Sequence, residues 1–291
     1  MEIAIIGSNG FIGRNLSYYL QKKNYAVYEF DIDENSSSDC ILYERLDIMD
    51  LESVKKFFIR NWDYVFFMSG ITGSLDSFSN YSNIINVNNI GLMNFLIEIP
   101  NHSNFKFIYP STRLVYQGQS FEIKEDSDKK PLTPYAVSKL GAEQLIQCYN
   151  NLKKIDYSIF RIGVPFGNLI NNDYSFGTIG SFLNQINLNN EIILFGDGSQ
   201  KRTFTHIEDI CIVFEQCIKG NIDINDIYNI GGNNLSLKEA AMILADQYDA
   251  RLHFKDWEKD YLKIETWNTA FDFTKLNEQI GITYKKLKDH S

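Results

Sequence analysis

The sequence predicts an α/β protein in which a doubly wound parallel sheet is joined to a smaller C-terminal lobe. Short apolar runs of the kind that form buried strands alternate with amphipathic runs of helical spacing through the first half of the 291 residues. A glycine-rich turn, GSNGFIG, separates the first apolar run from the first helical run. Alternation with short connections favours parallel strands that are covered by helices on both faces.

The alternating runs follow one another from the N-terminus with little between them. In chain order they are EIAII, FIGRNLSYYLQKK, YAVYEFDI, DLESVKKFFIRN, DYVFFMSG, NVNNIGLMNFLIEI and FKFIYPST. The later part is less regular. It contains IILFGDGSQKRTFTHIEDICIVFEQCIKG, typical of strand, turn, strand and helix, then the strand-like IYNIGG and the helical LSLKEAAMILADQY. We therefore expect a sheet domain over residues 1–165, rejoined by about 203–230, and a substrate-binding lobe built from 166–202 and 231–291.

Composition limits the class of protein. Hydrophobic residues make up 44% of the chain, enough for a sizeable core in one large or two fused domains. The net charge of -9 argues against a nucleic-acid or anionic-membrane surface. No metal-ligand spacing is found among the cysteines, which are Cys40, Cys148, Cys211 and Cys217. Nothing in the sequence suggests a secretory signal or a membrane span, so we expect a reduced, cytoplasmic protein without a metal site.

The spacing of the glycines in GSNGFIG predicts a phosphate-binding turn. Gly7 permits a tight turn, Gly10 lets the backbone approach a pyrophosphate, and Gly13 lets the first helix pack against its strand. The positive N-terminus of the helix then faces the anion. Because the spacing G-x-x-G-x-x-G differs from the dinucleotide fingerprint G-x-G-x-x-G, the prediction needs support from further residues.

The second predicted strand ends in an acidic residue, Asp31, within YEFDIDEN. A carboxylate at this position can accept hydrogen bonds from the adenosine ribose of NAD, whereas the 2'-phosphate of NADP prefers a neighbouring Arg or Lys. No basic residue follows until Arg45. The pattern favours NAD over NADP, and the alternative is that Asp31 only caps a loop.

Tyr135 and Lys139 lie four residues apart in PYAVSKLGAEQL, a predicted helix that Pro134 begins. This spacing places both side chains on one helical face, where the ammonium group can lower the pKa of the phenol and help to hold a cofactor ribose. The pattern Tyr-x-x-x-Lys alone is common on solvated helices. Together with the upstream glycine turn, it becomes a specific signal.

With these motifs the chain resembles the extended short-chain dehydrogenases/reductases, in particular the NAD-dependent nucleotide-sugar epimerases and dehydratases, over nearly its full length. GSNGFIG is similar to the cofactor loop of that family, RLDIMD to its adenine-contacting segment, NVNNIGLMNFL to its Asn-containing helix start and YPSTRLVY to its active-site strand. The resemblance implies a Rossmann fold and catalytic roles for Thr112, Tyr135 and Lys139. It also implies cofactor contacts at Gly7, Gly10, Phe11, Ile12, Gly13, Asp31, Asp47, Ile48, Asn88, Tyr135 and Lys139.

The resemblance places substrate contacts at Thr112 and later in the chain. FGDGSQKRTFTHIEDI is similar to the family's nucleotide-sugar clamp, in which Arg202 would hold the diphosphate or the nucleotide ribose. The alternative for Arg202 is a surface ion pair. Val164, in FRIGVPFG, stands where the family usually has an Asn donor, and the closing segment IETWNTAFDFTKLNEQIG lacks an Arg often found before it. Loops such as GNLINNDYSFGTIG would supply contacts that select the nucleotide and the sugar.

The residues that follow Thr112 bear on the reaction. Dehydratases of the family usually carry Asp-Glu there as acid and base, but this chain has Arg113 and Leu114, which can do neither. The favoured reaction is therefore nucleotide-sugar 4-epimerisation through a transient 4-keto sugar, with Tyr135 as the base. Reduction of a nucleotide-linked 4-keto-6-deoxysugar by NAD(P)H is one alternative. A non-catalytic dinucleotide-binding protein is another.

Assembly is expected to involve the helix that carries Tyr135. Family members commonly form homodimers through this helix and the preceding one, in a four-helix interface. The apolar side chains considered for this interface are Leu140, Ala142, Leu145 and Ile146. The alternative is that these side chains pack against the sheet. The expected partners are thus a nucleotide-sugar substrate and a second copy of the chain, with no nucleic acid and no membrane.

Overall fold

A computed structural model describes residues 1–38, 42–101, 103–170 and 176–289. Cys40 and part of the loop GNLINNDYSFGTIG, both named above, lie outside the described residues. The strands, numbered in chain order, are β1 Ile3–Ile6, β2 Val27–Asp31, β3 Tyr43–Arg45, β4 Tyr64–Phe67, β5 Lys106–Thr112, β6 Asp156–Ile162, β7 Val164–Phe166, β8 Glu191–Phe195, β9 Lys201–His206, β10 Asp226–Asn229, β11 Asn233–Ser236 and β12 Arg251–Lys255.

The α-helices, also numbered in chain order, are α1 Phe11–Lys22, α2 Leu51–Phe57, α3 Tyr81–Ile85, α4 Leu92–Glu98, α5 Pro134–Lys153, α6 Gly177–Asn189, α7 Ile207–Ile218, α8 Leu237–Tyr248, α9 Lys259–Ile264 and α10 Thr274–Ile280. A π-helical turn, Asn86–Gly91, joins α3 to α4, so the helix predicted from NVNNIGLMNFLIEI begins earlier than the sequence pattern indicates. Within the described ranges, no helix combines the length and apolar content that a membrane span requires.

The large sheet is parallel and confirms the predicted doubly wound α/β class. Its strand order is β10-β6-β5-β4-β1-β2-β3, and each neighbouring pair runs in the same direction. The order reverses between β1 and β4, where Ile3 is in register with Tyr64. In open sheets of this kind, ligands bind beyond the carboxyl ends of the strands at such a reversal.

Helices cover both faces of this sheet, which is why β1 is buried along its whole length. On one face, Leu16 of α1 and Phe214 of α7 pack in a core with the strands. On the other face, Phe57 of α2, Phe95 of α4 and Ile146 of α5 belong to a second core. The sheet is therefore the middle layer of three.

Later strands form two small sheets among the described residues. β9 lies between β7, which is parallel to it, and β11, which is antiparallel, and β8 pairs in parallel with β12. Of the segment 203–230, β10 joins the large sheet and α7 packs against α1, whereas β9 belongs to the three-stranded sheet. The division of the chain into two domains at the boundaries given above stays a prediction.

The side chains considered for the dimer interface lie mainly inside the protomer. Ala142 and Ile146 are buried in the core beneath α5, and Leu140 and Leu145 are partly buried against neighbouring apolar residues. Ala142 and Ile146 therefore pack against the sheet, as the alternative expects. The amphipathic pattern of a single helix does not distinguish a face that meets the sheet from a face that meets a partner.

A buried ion pair joins α5 to β6. Arg161 Nη2 lies 2.6 Å from Glu143 Oε2, Arg161 Nε donates to Glu143 Oε1 at 2.9 Å, and each side chain is only 2% exposed. The hydroxyl of Tyr116 accepts a further bond from Arg161 Nη1 at 2.6 Å. Burial lowers the pKa of Arg161, but the Glu143 carboxylate outweighs it and holds that pKa above its usual value. The pair thus satisfies both charges while it fixes the middle of α5 against the sheet.

Substituting Glu143→Gln should lower the free energy of unfolding by about 3–5 kcal/mol, because the Arg161 charge stays buried without its partner. Urea unfolding followed by circular dichroism measures the change. Glu52→Gln is the matched control, since Glu52 is exposed and pairs with Lys55 at the surface; its loss should stay below about 1 kcal/mol. An equally small loss for Glu143→Gln would show that the buried pair does not stabilise this fold.

Candidate active site

The glycine turn between β1 and α1 is packed as closely as its spacing predicts. Gly7 has a φ of +83°, and a Cβ at this residue would lie 2.5 Å from the backbone nitrogen of Ser69. A Cβ on Gly13 would lie 2.1 Å from the carbonyl oxygen of Gly7, so only glycine lets α1 approach β1 at this point. Gly10, the N-cap of α1, is exposed and lines a cavity.

This first cavity, of about 400 Å³, lies at the carboxyl ends of β1 and β2. Asp31, the last residue of β2, lines the cavity, and its Oδ2 accepts a hydrogen bond from the backbone nitrogen of Asn9 at 2.8 Å. Asp47 and Ile48 line the same cavity. The structure therefore brings the glycine turn together with the residues that the resemblance assigns to the adenosine part of the cofactor.

Arg45, the first basic residue after Asp31 in the sequence, lies beside Asp31 in the folded protein. β3 pairs with β2 so that Arg45 is in register with Asp31. The Nε of Arg45 donates to the carbonyl oxygen of Ile32 at 3.0 Å and lies 3.1 Å from a carboxylate oxygen of exposed Glu34. Arg45 bonds to these groups and is not among the described residues that line the cavity. The charged residues that line this end of the cavity are therefore acidic.

The loop after β4 connects the first cavity to a second one. The residues that line both are Met68, Ser69, Gly70 and Ile71. Asn88 holds this loop, because its Oδ1 accepts from the backbone nitrogen of Ile71 at 2.7 Å and its Nδ2 donates to the carbonyl of Ile71 and to Ser138 Oγ, both at 2.9 Å. Asn88 is buried and is not among the described residues that line either cavity. Asn88 thus positions the loop between the cavities, and the cofactor contact that the resemblance implies for it stays a prediction.

The second cavity, also of about 400 Å³, contains the predicted catalytic residues. Thr112 ends β5, and its Oγ1 accepts a hydrogen bond from the backbone nitrogen of Leu114 at 3.3 Å. The Thr112 hydroxyl also hydrogen-bonds to the side chain of Tyr135, in the first turn of α5. Lys139 lines the cavity one helical turn later. The structure thus brings Thr112, Tyr135 and Lys139 to one site.

The effect of Lys139 on the phenol of Tyr135 stays a prediction, and other groups act on that phenol in the structure. Burial raises the pKa of Tyr135 to about 12, whereas the hydrogen bond with Thr112 and the charge of Arg113 act to lower it. Lys139 Nζ instead donates to the hydroxyl of Tyr109 at 2.9 Å and lies 4.1 Å from the centre of that ring. Burial also lowers the pKa of Lys139 to about 7, which weakens its charge near neutral pH. Arg113 is thus a cation that acts on the pKa of Tyr135 and that the sequence pattern did not assign to this role.

Arg113 lines the second cavity directly after Thr112. Its Nη1 donates to the hydroxyl oxygens of Thr266 and Thr269, at 3.0 and 2.9 Å. Burial and the nearby charge of Arg202 lower the pKa of Arg113 to about 9, so the guanidinium group keeps its positive charge at neutral pH. The sequence pattern indicates only that this residue cannot replace a carboxylic acid. Its position beside Tyr135 becomes visible only in the fold.

Arg202, on β9, is buried and is not among the described residues that line the second cavity. It forms an ion pair with Glu265 and donates to the carbonyl oxygens of Trp267 and Lys201. An ion pair is the alternative expected for Arg202, but this one is buried rather than at the surface. Val164, by contrast, does line the cavity. A direct contact between Arg202 and a substrate diphosphate stays a prediction.

Sequence reasoning missed the loop of residues 68–71 and Tyr109. The available signal for the loop was the end of DYVFFMSG, since residues beyond the carboxyl end of a buried parallel strand face the ligand crevice. The sequence pattern does not identify Tyr109, because its hydrogen bond with Lys139 depends on how α5 packs against β5. The resemblance also assigns cofactor contacts to Phe11 and Ile12, between Gly10 and Gly13. Ile12 lines the second cavity, and Phe11 stacks on Phe176 with ring centres 4.6 Å apart.

The residues present fit a dinucleotide. Because the two cavities share the loop of residues 68–71, they adjoin each other, and together they make the groove that extends from Asp31 to Tyr135. The groove passes the glycine turn, where the absence of side chains and the start of α1 suit a pyrophosphate. Carboxylates at one end suit ribose hydroxyls, and the hydroxyl and amine groups at the other end suit a reacting centre.

The chain is similar to known proteins in sequence and in fold. The model of the NAD dependent epimerase/dehydratase family matches residues 3–231. A dTDP-D-glucose 4,6-dehydratase of Dictyostelium discoideum is 29% identical over 255 residues, which cover 79% of this chain but only 58% of that relative. A UDP-glucuronate 4-epimerase of Thermodesulfobacterium geofontis is 29% identical over 281 residues, which cover 89% of this chain and 82% of that protein.

Among solved structures, a UDP-glucose 4-epimerase with UDP-glucose from Thermotoga maritima has a TM-score of 0.85 at 21% identity, covering 100% of this chain and 97% of that one. This likeness shows the fold. The family match covers more than half of the chain and includes the glycine turn and the segment that carries Thr112, Tyr135 and Lys139. The chain therefore belongs to the NAD dependent epimerase/dehydratase family, within the extended short-chain dehydrogenases/reductases, and its cofactor is NAD.

Proposed function

We propose that this chain is a nucleotide-sugar 4-epimerase that acts through a transient 4-keto sugar. The observation that supports this most is the chemistry of the second cavity. Its ionisable lining residues are Arg113, Tyr135 and Lys139, and no Asp, Glu or His is found among the described residues that line it. Such a lining can exchange the proton of a sugar hydroxyl, but its described residues offer no carboxylate for the loss of water that a dehydratase catalyses.

Nucleotide sugars are the proposed substrate class because the relatives named above act on them or bind them. In the proposed reaction Tyr135, as phenolate, takes the proton of the sugar hydroxyl. Thr112 holds the same oxygen, since its own hydroxyl is fixed by Leu114 and by Tyr135. When bound, NAD supplies the hydride acceptor for the sugar carbon and a positively charged ring. Tyr135 returns the proton after the keto sugar has presented its other face.

Tyr135 needs a lower pKa to serve as a base near neutral pH. In the structure burial holds that pKa at about 12, while Thr112 and Arg113 already act in the downward direction. Any further positive charge in the same cavity stabilises the phenolate and lowers the pKa again. Lys139 lines the same cavity, where its terminal nitrogen can donate a hydrogen bond to a ribose.

Tyr135→Phe should reduce turnover by about 10²–10⁴-fold, because it removes the proton acceptor while it keeps the aromatic packing. NAD affinity, measured by calorimetry, should change little.

Thr112→Ala should lower the rate by about 10²-fold, and Lys139→Ala should weaken both turnover and NAD binding. Tyr18→Phe, at the exposed side of α1, is the matched control and should be silent. Full activity of Tyr135→Phe would remove Tyr135 as the base.

Epimerisation and 4-ketosugar reduction can be separated with a nucleotide sugar that carries deuterium at C4. We expect the label to remain in the epimeric product, because the hydride that leaves the sugar returns to it. Proton NMR of the product measures the retained label, and a panel of nucleotide sugars identifies the substrate. A requirement for stoichiometric NADH or NADPH, with hydrogen from that reagent at C4, would identify the reductase instead. Binding of NAD without any turnover would support the non-catalytic alternative.

We further propose that the protein is a homodimer that pairs through the helices on either side of the Asn89–Ser138 contact, where Asn89 Nδ2 donates to the carbonyl of Ser138 at 2.9 Å. Three apolar side chains on these helices are exposed, namely Ile90, Ile97 and Val137. A second copy would cover them, as the family's four-helix interface does.

The double substitution Ile90→Asp with Val137→Asp should convert a dimer into a monomer, because it would bury two charges in the interface. Light scattering at micromolar concentration measures the mass. Ile59→Asp, at an exposed residue after α2, is the control and should leave the dimer intact. A monomeric unmodified protein would exclude the dimer.

A further inference from the structure

The second cavity contains a positive charge that no described residue neutralises. Arg113 Nη1 donates to Thr266 and Thr269, and both acceptors are uncharged hydroxyls. The acidic residue that acts on Arg113 through its charge is Glu265, but Glu265 is ion-paired with Arg202. Two positive charges and one negative charge therefore lie together, those of Arg113, Arg202 and Glu265. Such an imbalance carries a high free-energy cost when the groups are buried.

Part of the guanidinium group of Arg113 remains available for a ligand. Among the described residues, none forms a hydrogen bond with its Nε or Nη2, and none forms an ion pair with it. An arginine presents two parallel donors in a plane, and this geometry matches a carboxylate or a phosphate. The cavity that Arg113 lines has no Asp or Glu among its described lining residues, so none of these residues supplies the matching anion and a ligand can do so.

The position of Arg113 indicates which part of the ligand carries that anion. Arg113 follows Thr112 in the chain and lines the same cavity as Thr112 and Tyr135. In the proposed function Thr112 and Tyr135 hold the oxygen on C4 of the sugar. An anion beside that oxygen would be attached to the sugar ring itself, at the neighbouring C5, rather than at the far side of the ring where a diphosphate is attached.

We propose that Arg113 determines substrate specificity by binding a carboxylate on the sugar, so that the substrate is a nucleotide-linked uronic acid. This inference rests on the proposed function, because it uses the placement of C4 at Thr112 and Tyr135. Thr266 and Thr269 hold one edge of the guanidinium group and leave the other for the sugar carboxylate. The bound carboxylate restores the charge balance with Arg202 and Glu265.

Calorimetry of the NAD-loaded protein tests this inference without requiring turnover. The probes are UDP-glucuronic acid, UDP-glucose and UDP, together with dTDP-glucuronic acid and dTDP-glucose, so that either nucleotide preference is covered. The variants are Arg113→Gln, which keeps a donor for Thr266 and Thr269, and Arg251→Gln, a matched control at an exposed arginine on β12. The unmodified protein should bind the uronic acid of one nucleotide at least about tenfold more tightly than the matching glucose compound.

Arg113→Gln should weaken binding of that uronic acid by about 10²-fold, while affinity for the glucose compound and for UDP changes by less than about threefold. Arg251→Gln should change none of these values. Equal weakening of all ligands would assign Arg113 to the diphosphate or to the packing of Thr266 and Thr269, and would overturn the inference. No preference for a uronic acid, or no binding of either one, would also overturn it. Epimerisation of any probe, followed separately by NMR, tests the proposed function.

Discussion

The ion pair between Glu143 and Arg161 is the interaction on which the site depends. Tyr135, Lys139 and Glu143 follow one another at intervals of four residues along α5, so all three lie on one face of the helix. The last of them is fixed to β6 by Arg161, deep in the protein. Since the helix is rigid over these two turns, anchoring Glu143 also fixes the height and rotation of Tyr135 and Lys139 above the sheet. Glu143 acts in addition on Lys139 by raising its pKa against the effect of burial.

Charge changes sign along the groove at the carboxyl edge of the sheet. Asp31, Asp33 and Asp47 line the end near β2, whereas Arg113 and Lys139 line the end near β5. The glycine turn and the loop of residues 68–71 lie between them and contribute backbone rather than charge. Ribose hydroxyls are matched by the acidic end. A reacting oxygen that becomes negative, together with any anion on the same ligand, is matched by the basic end.

The sequence was sufficient for the features that depend on local spacing. Gly7 and Gly13 could be assigned because only glycine fits a turn this tight, and Tyr135 and Lys139 because a four-residue interval defines one helical face. Pairings between distant segments were beyond such reasoning. The pairing of β3 with β2 places Arg45 opposite Asp31, and the packing of α5 on β5 lets Lys139 donate a hydrogen bond to the hydroxyl of Tyr109. β3 itself is three residues long and exposed in part, so it lacks the apolar pattern by which strands are recognised.

The arrangement predicts that NAD lies along the two adjoining cavities, which end at the anchored face of α5, with its nicotinamide at Tyr135. A crystal structure of the protein with NAD shows where each part of the dinucleotide binds. We expect the adenosine ribose at Asp31, the pyrophosphate at the turn of Gly7 and Gly10, and the nicotinamide ribose within hydrogen-bond distance of Tyr135 and Lys139. Density for NAD that leaves the cavity of Tyr135 empty, or that enters the groove in the opposite direction, would contradict it.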